Sequence, residues 1–170
     1  FQPITVTAGA KRVIDPRNAF IMTNMMQDVI NYGTAVRAKQ LGRTDLAGKT
    51  GTTSNFVDAW FCGFQKDLVT IAWTGYDEPK SLGNNETGGR VALPIWMDYM
   101  GPVLKGIPVA EYKPPNAVTI AKINSNSGFR DPSGDISEFF FSEQLPPMSD
   151  IPVVEDHAPS TTRDLRDQLF

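Results

Sequence analysis

The sequence predicts an α/β chain of the α+β kind, in which a run of consecutive strands lies between two helices. Three observations lead there. Asp15-Pro16 pairs an N-cap residue with a proline at the first helical position, and Met22, Met25, Met26 and Val29 follow at helical spacing. Three strand candidates then come in close order: Leu46 to Thr53, Asp58 to Phe64 and Leu68 to Tyr76. After Thr87-Gly88-Gly89, an apolar face made by Ala92, Ile95, Trp96, Tyr99 and Val103 marks a second helix.

Each element has its local reason. Lys11 to Ile14 reads as the close of a strand before the first helix, and Gly33 sits where a helix stop belongs. The methionine stripe reads as core packing, since methionine fills irregular interiors. A polar linker runs to Arg43. The second and third strands are joined by Gln65-Lys66-Asp67, short enough for a hairpin. Their near-continuous apolar character suggests a sheet covered on both faces, with Trp60 and Trp73 in the core. Pro94 is tolerable because it lies in the first turn of the second helix, and Gly101-Pro102 should end or kink that helix. Further on, Val118 to Ile123 alternates like a strand, Asp131-Pro132-Ser133-Gly134 is a turn signal, and Glu138 to Phe141 is a short aromatic strand. Thr161 to Leu169 reads as a brief polar helix.

Composition narrows the function. Of 170 residues, 41% are hydrophobic and 21% charged, which is globular rather than disordered. The formal net charge of -3 gives no basic excess, so no nucleic-acid partner is expected. No apolar run approaches the roughly 18 residues of a membrane span, and no signal peptide is visible. Cys62 is the only cysteine and His157 the only histidine, so neither a metal cluster nor a bound cofactor is expected. A histidine-based triad would have to use His157, which sits in a polar tail where such residues are ordinarily solvated.

The informative segment is Gly48-Lys49-Thr50-Gly51-Thr52-Thr53. A phosphate-binding loop needs four residues between its first glycine and Gly-Lys-Thr, followed by a helix. Gly42 leaves five, and the residues after Lys49 start a helix poorly. A glycine-containing strand ending in a polar turn is the bland reading. The third is the Lys-Thr-Gly signature of penicillin-binding proteins and serine β-lactamases. In a strand, Thr50 and Thr52 point to one face and together could bind one carboxylate. Gly51 between them has no side chain, so a ligand backbone could lie alongside. Lys49 adds positive charge suited to an anionic peptide end, and an edge strand can accept an extended substrate by strand addition.

Surrounding motifs favour the third reading. Asn31-Tyr32-Gly33-Thr34-Ala35, Leu41-Gly42-Arg43, Asp58-Ala59-Trp60-Phe61-Cys62-Gly63-Phe64, Leu68-Val69-Thr70 and Thr87-Gly88-Gly89 leading to Ala92-Leu93-Pro94-Ile95-Trp96 follow in order. Together with the Lys-Thr-Gly run, they resemble the transpeptidase domain of class A penicillin-binding proteins over roughly Val13 to Leu104. A weaker likeness extends to Glu138-Phe139-Phe140-Phe141.

The resemblance implies the penicillin-binding transpeptidase or serine β-lactamase-like fold, a mostly antiparallel sheet between helical layers, of which this chain holds the C-terminal portion. Residues 1–104 are then the C-terminal part of the transpeptidase domain, 105–150 an extension with short strands, and 151–170 a polar tail. It implies a D,D-transpeptidase that joins D-Ala-D-Ala stem peptides of peptidoglycan through an acyl-serine and is the target of β-lactams. Lys49 would orient a serine and aid proton transfer. Thr50, Gly51 and Thr52 would bind the donor, and the Thr52 backbone N–H would supply half of an oxyanion hole. The family's Ser-x-x-Lys and Ser-x-Asn motifs occur nowhere in this sequence, so an upstream fragment of the same protein is the expected partner and this chain alone is expected to be inactive. The parent protein would carry a glycosyltransferase domain and a membrane anchor near its N-terminus, absent here, and work on the periplasmic face of the inner membrane. A serine β-lactamase shares the tripeptide, but the long stretch after Leu104 suits a class A penicillin-binding protein better. A non-catalytic domain that senses β-lactam or peptidoglycan is the other alternative, told apart by its upstream sequence.

Overall fold

The computed structural model describes residues 11–149. The first helix, α1, spans Pro16–Asn31. The Asp15 side chain caps it by accepting from the Arg17 N–H at 2.8 Å, and Pro16 opens the first turn where a missing N–H costs nothing. Tyr32 N–H and Gly33 N–H both donate to Asp28 O at the far end. Gly33 does follow the helix, but what requires glycine there is space: a Cβ would lie 2.9 Å from Val29 Cα. Residues 11–14 form no strand, contrary to the reading of Lys11 to Ile14.

Three antiparallel strands follow: β1 (Ala47–Thr52), β2 (Ala59–Gln65) and β3 (Leu68–Thr74), in the order β1-β2-β3. The expected hairpin joins β2 to β3. The register sets Lys49 opposite Cys62, Gly51 opposite Trp60, and Trp60 opposite Trp73. Because side chains alternate, the sheet has two distinct faces. On one, Phe61 and Ala72 are buried. On the other, Trp60 and Trp73 stand 39% and 45% exposed, with Val69 and Ile71 exposed beside them. The tryptophans are therefore not core residues of this chain: their rings meet each other at 5.9 Å on an open face.

The second helix, α2 (Leu93–Val103), covers the buried face. A wide turn over Gly88–Ala92 leads into it, closed by Leu93 N–H donating to Gly88 O. Trp96 meets the Phe61 ring edge-on at 4.9 Å and donates its Nε1–H to Thr70 O at 3.1 Å. That anchor decides which side of an almost entirely apolar helix goes inward. The buried face is Ala92, Leu93, Trp96, Met97, Met100 and Leu104, while Ile95, Tyr99 and Val103 are exposed. The expected face was thus displaced by about one residue beyond Trp96. The helix runs through Pro102 and ends directly after it.

The methionine stripe is a second departure. Met22 and Met25 are about half exposed, and Ile30 is the α1 residue that is fully buried. The core on this side is made by Ile30 with Ala35, Ala38 and Leu46. The linker supplies it by folding as a 3-10 turn, Val36–Leu41, rather than as irregular chain.

The chain beyond α2 returns to the start of β1. Arg43 forms a two-pronged pair with Asp45, at 2.9 and 2.7 Å, and the Asp45 side chain is fully buried. The same guanidinium donates to Leu104 O, Ile107 O and Pro108 O, while Asp45 also accepts from Gln65 Nε2 and Ala110 N–H. Burial pushes the Asp45 carboxyl up, but the Arg43, Ala110 and Gln65 hydrogen bonds outweigh it and hold the group below the usual carboxylate value.

The described residues divide into two compact units at Val118 and Thr119. The second contains the pairing of β4 (Val118–Ile123) with β5 (Ile136–Phe141), the latter starting two residues before the expected Glu138. The turn signal is realised as Gly134 N–H donating to Asp131 O. Arg130 ties the loop together by donating its Nε–H to Pro146 O at 2.6 Å. The polar tail 151–170, with His157 and the helix expected over Thr161 to Leu169, lies outside the described residues.

Candidate substrate-binding site

β1 is the outermost strand of its sheet among the described residues, so one backbone edge has no strand partner. The alternation along it separates Lys49 and Gly51, on the face with Trp60, from Thr50 and Thr52, on the face with Phe61. Lys49 is exposed and donates its Nζ to Thr50 O at 3.1 Å. A Cβ at Gly51 would stand 3.2 Å from Trp60 Cβ, so the glycine leaves room for the tryptophan crossing beneath it.

Thr50 and Thr52 line an open pocket of about 460 Å³. Two other segments complete it. Thr34 and Arg37 come from the connection between α1 and β1; Thr87, Gly89 and Arg90 come from the entrance to α2. Both threonine hydroxyls of β1 are already held. Thr50 Oγ1 shares a 2.7 Å hydrogen bond with Thr34 Oγ1, and Thr52 Oγ1 accepts the Gly88 N–H at 3.0 Å. Gly88 gets that close only without a side chain, since a Cβ would fall inside contact distance of the Trp60 and Gly51 carbonyls. A hydroxyl that accepts from a fixed donor keeps its own proton to give. The arrangement therefore offers hydroxyl donors into the pocket. Its two charged lining groups are guanidiniums, and no carboxylate lines it. Arg90 leans to Glu86 at 3.8 Å.

The sequence reading found Lys49, Thr50, Gly51 and Thr52 but missed Thr34, Arg37, Gly88 and Arg90 as parts of the same place. The signal for one of them was present. Two adjacent glycines make a poor helix start, which pointed to a backbone approach rather than to the helix alone.

Residues 4–101 match the family described as the penicillin binding protein transpeptidase domain. The chain belongs to that family. Its similarity runs to penicillin-binding protein 1A of Pseudomonas aeruginosa, at 49% identity over 81% of this chain and 17% of that protein. Penicillin-binding protein 1A of Neisseria gonorrhoeae is 54% identical over 62% of this chain and 13% of its own length. Among solved structures, the crystal structure of penicillin-binding protein 1A from Haemophilus influenzae superimposes with a TM-score of 0.77. It is 32% identical, and the match covers 82% of this chain and 22% of that one. The likeness to class A penicillin-binding proteins and the mixed fold with an antiparallel sheet are thereby borne out. The chain spans less than a quarter of the length of each relative compared. Among the described residues, no helix is long and apolar enough to cross a membrane.

Proposed function

We propose that this chain supplies the substrate-binding strand of a peptidoglycan D,D-transpeptidase, a serine-type enzyme and β-lactam target. The observation that carries the reading is the pair of oriented hydroxyls, Thr50 and Thr52, in one pocket beside an unpaired strand edge, with Lys49 on the opposite face. The donor stem peptide lies along β1 by strand addition, its terminal carboxylate on the two threonines. A serine Oγ attacks the carbonyl of the penultimate D-alanine, the last D-alanine leaves with a proton, and an amine from a neighbouring peptide displaces the enzyme ester. The Thr52 backbone N–H gives one hydrogen bond to the developing oxyanion, a contribution of roughly 3 kcal/mol at the transition state. Lys49 orients the Ser-x-Asn serine and assists proton transfer.

The nucleophile comes from an upstream part of the same protein. The open face bearing Trp60, Ile71, Trp73 and Lys49 is where that part docks, which supports an obligatory partner of the same origin. The parent protein is anchored in the inner membrane, acts on its periplasmic side and carries a glycosyltransferase domain.

Thr50→Val in the full-length parent tests the carboxylate clamp. The variant removes one charge-assisted hydrogen bond and keeps the side chain's shape, so acylation by penicillin should slow roughly 10-fold or more. The unfolding midpoint should stay put. An unchanged acylation rate rejects the clamp, and rapid hydrolysis of the acyl-enzyme would instead mark a β-lactamase.

A further inference from the structure

We infer that Arg37 is a specificity-determining residue of this site, the charge that makes it prefer a carboxylate to a neutral group on the donor peptide or on a β-lactam. The inference rests on the transpeptidase reading and adds a residue from outside the Lys-Thr-Gly strand.

Hydroxyls alone do not select a charge. A threonine donates to a carboxylate, an ester or an amide, and the discrimination between them comes from net charge nearby. Lys49 is badly placed to supply it, because it projects from the other face of β1 and donates to Thr50 O. Two guanidiniums remain on the side of the threonines. Arg90 is leaning to Glu86 at 3.8 Å, which offsets its charge. The Arg37 side chain makes no hydrogen bond or ion pair among the described residues. Its backbone is nevertheless firmly placed. Ala35 and Ala38 on either side are fully buried, Ala35 N–H donates to Val29 O at 3.0 Å, and Thr34 on the same connection bonds Thr50. A pinned backbone thus carries an uncommitted guanidinium into a pocket lined by hydroxyls and free of carboxylates. A guanidinium presents paired N–H groups that match both oxygens of one carboxylate, a geometry a lone ammonium lacks.

The test compares acylation of the full-length parent by benzylpenicillin and by its methyl ester, each in competition with a fluorescent penicillin. In the wild type the acid should be preferred, and the preference should shrink as salt is added, because an exposed guanidinium is screened. Arg37→Gln should lower the acid-over-ester preference roughly 10-fold, and Arg37→Lys should restore part of it. A residue that only supports the fold would slow both probes alike, and that result overturns the inference. So does a preference that ignores salt, a measurement that needs no variant. Thr50→Val in the same assay separates the two claims. If it abolishes the preference while Arg37→Gln does not, Arg37 alone is wrong. If neither changes it, the carboxylate clamp falls as well.

Discussion

Thr50 shows how a single proton is allotted. Its hydroxyl meets the Thr34 hydroxyl at 2.7 Å, and either can donate; when Thr34 gives its proton inward, Thr50 keeps its own for a ligand. Thr52 is arranged the same way by the Gly88 N–H. Gly88→Ala should therefore have two effects. The new methyl would press on the Trp60 and Gly51 carbonyls, costing roughly 1–3 kcal/mol. It would also withdraw the N–H that orients Thr52, so penicillin acylation should fall with the unfolding midpoint. A variant as stable and as reactive as the wild type would show that this glycine is incidental. At this scale the tripeptide was legible because strand alternation alone puts Thr50 and Thr52 together. Thr34 was not: it sits 16 residues before its partner, and nothing in local spacing announces that approach. The exposure of Trp60 and Trp73 was misread for a related reason, since size and apolarity state a preference for burial without saying which chain provides the cover.

Between elements, the decisive contacts are made by polar groups that pattern reading passes over. The three strands of the main sheet were legible to within about two residues, because β-branched and aromatic runs separated by short polar turns leave few alternatives, whereas the strand read at Lys11 to Ile14 did not form. The inward side of α2 was not, since Ile95 and Tyr99 are as apolar as Met97 and Met100, and only the seating of Trp96 on Phe61 chooses. Arg43 closed the segment read as linker and Asp45 fell just before the strand read from Leu46, yet they join the start of β1 to the chain beyond α2. Asp45→Asn in the full-length parent should cost about 3–5 kcal/mol, because it leaves a nearly buried guanidinium without its counter-charge. The pH dependence has a definite sign. The folded-state pKa of Asp45 is lowered, so its contribution is complete above the unfolded value of about 3.9 and drains away as pH falls through the folded value. Unfolding midpoints measured from pH 7 down to pH 3 should drop more steeply in the wild type than in Asp45→Asn below about pH 4. Parallel curves would mean the pair is neutral to stability.

For the molecule as a whole, the two faces of the sheet tell opposite stories. One is sealed by α2, with Phe61 and Trp96 fully buried; the other leaves Trp60, Val69, Ile71 and Trp73 in water. Each such side chain, still partly exposed, forgoes a share of the roughly 1.5–3 kcal/mol that full burial brings. Residues 1–170 expressed alone should accordingly be poorly soluble, lack a cooperative near-ultraviolet circular dichroism transition, and form no adduct with fluorescent penicillin. Added upstream half should shift tryptophan emission to shorter wavelength as Trp60 and Trp73 lose water. Covalent labelling of the isolated chain would place a nucleophile within it and overturn the two-part account. The tie from Arg43 and Asp45 to the segment after α2 has a mechanical side too. A pull arriving along the backbone from Tyr112 meets the hydrogen bonds of Ala110, Pro108 and Ile107 before it reaches Leu104. The load is thus delivered through Arg43 and Asp45 into the root of β1, and the helix is spared from being unwound from its own end.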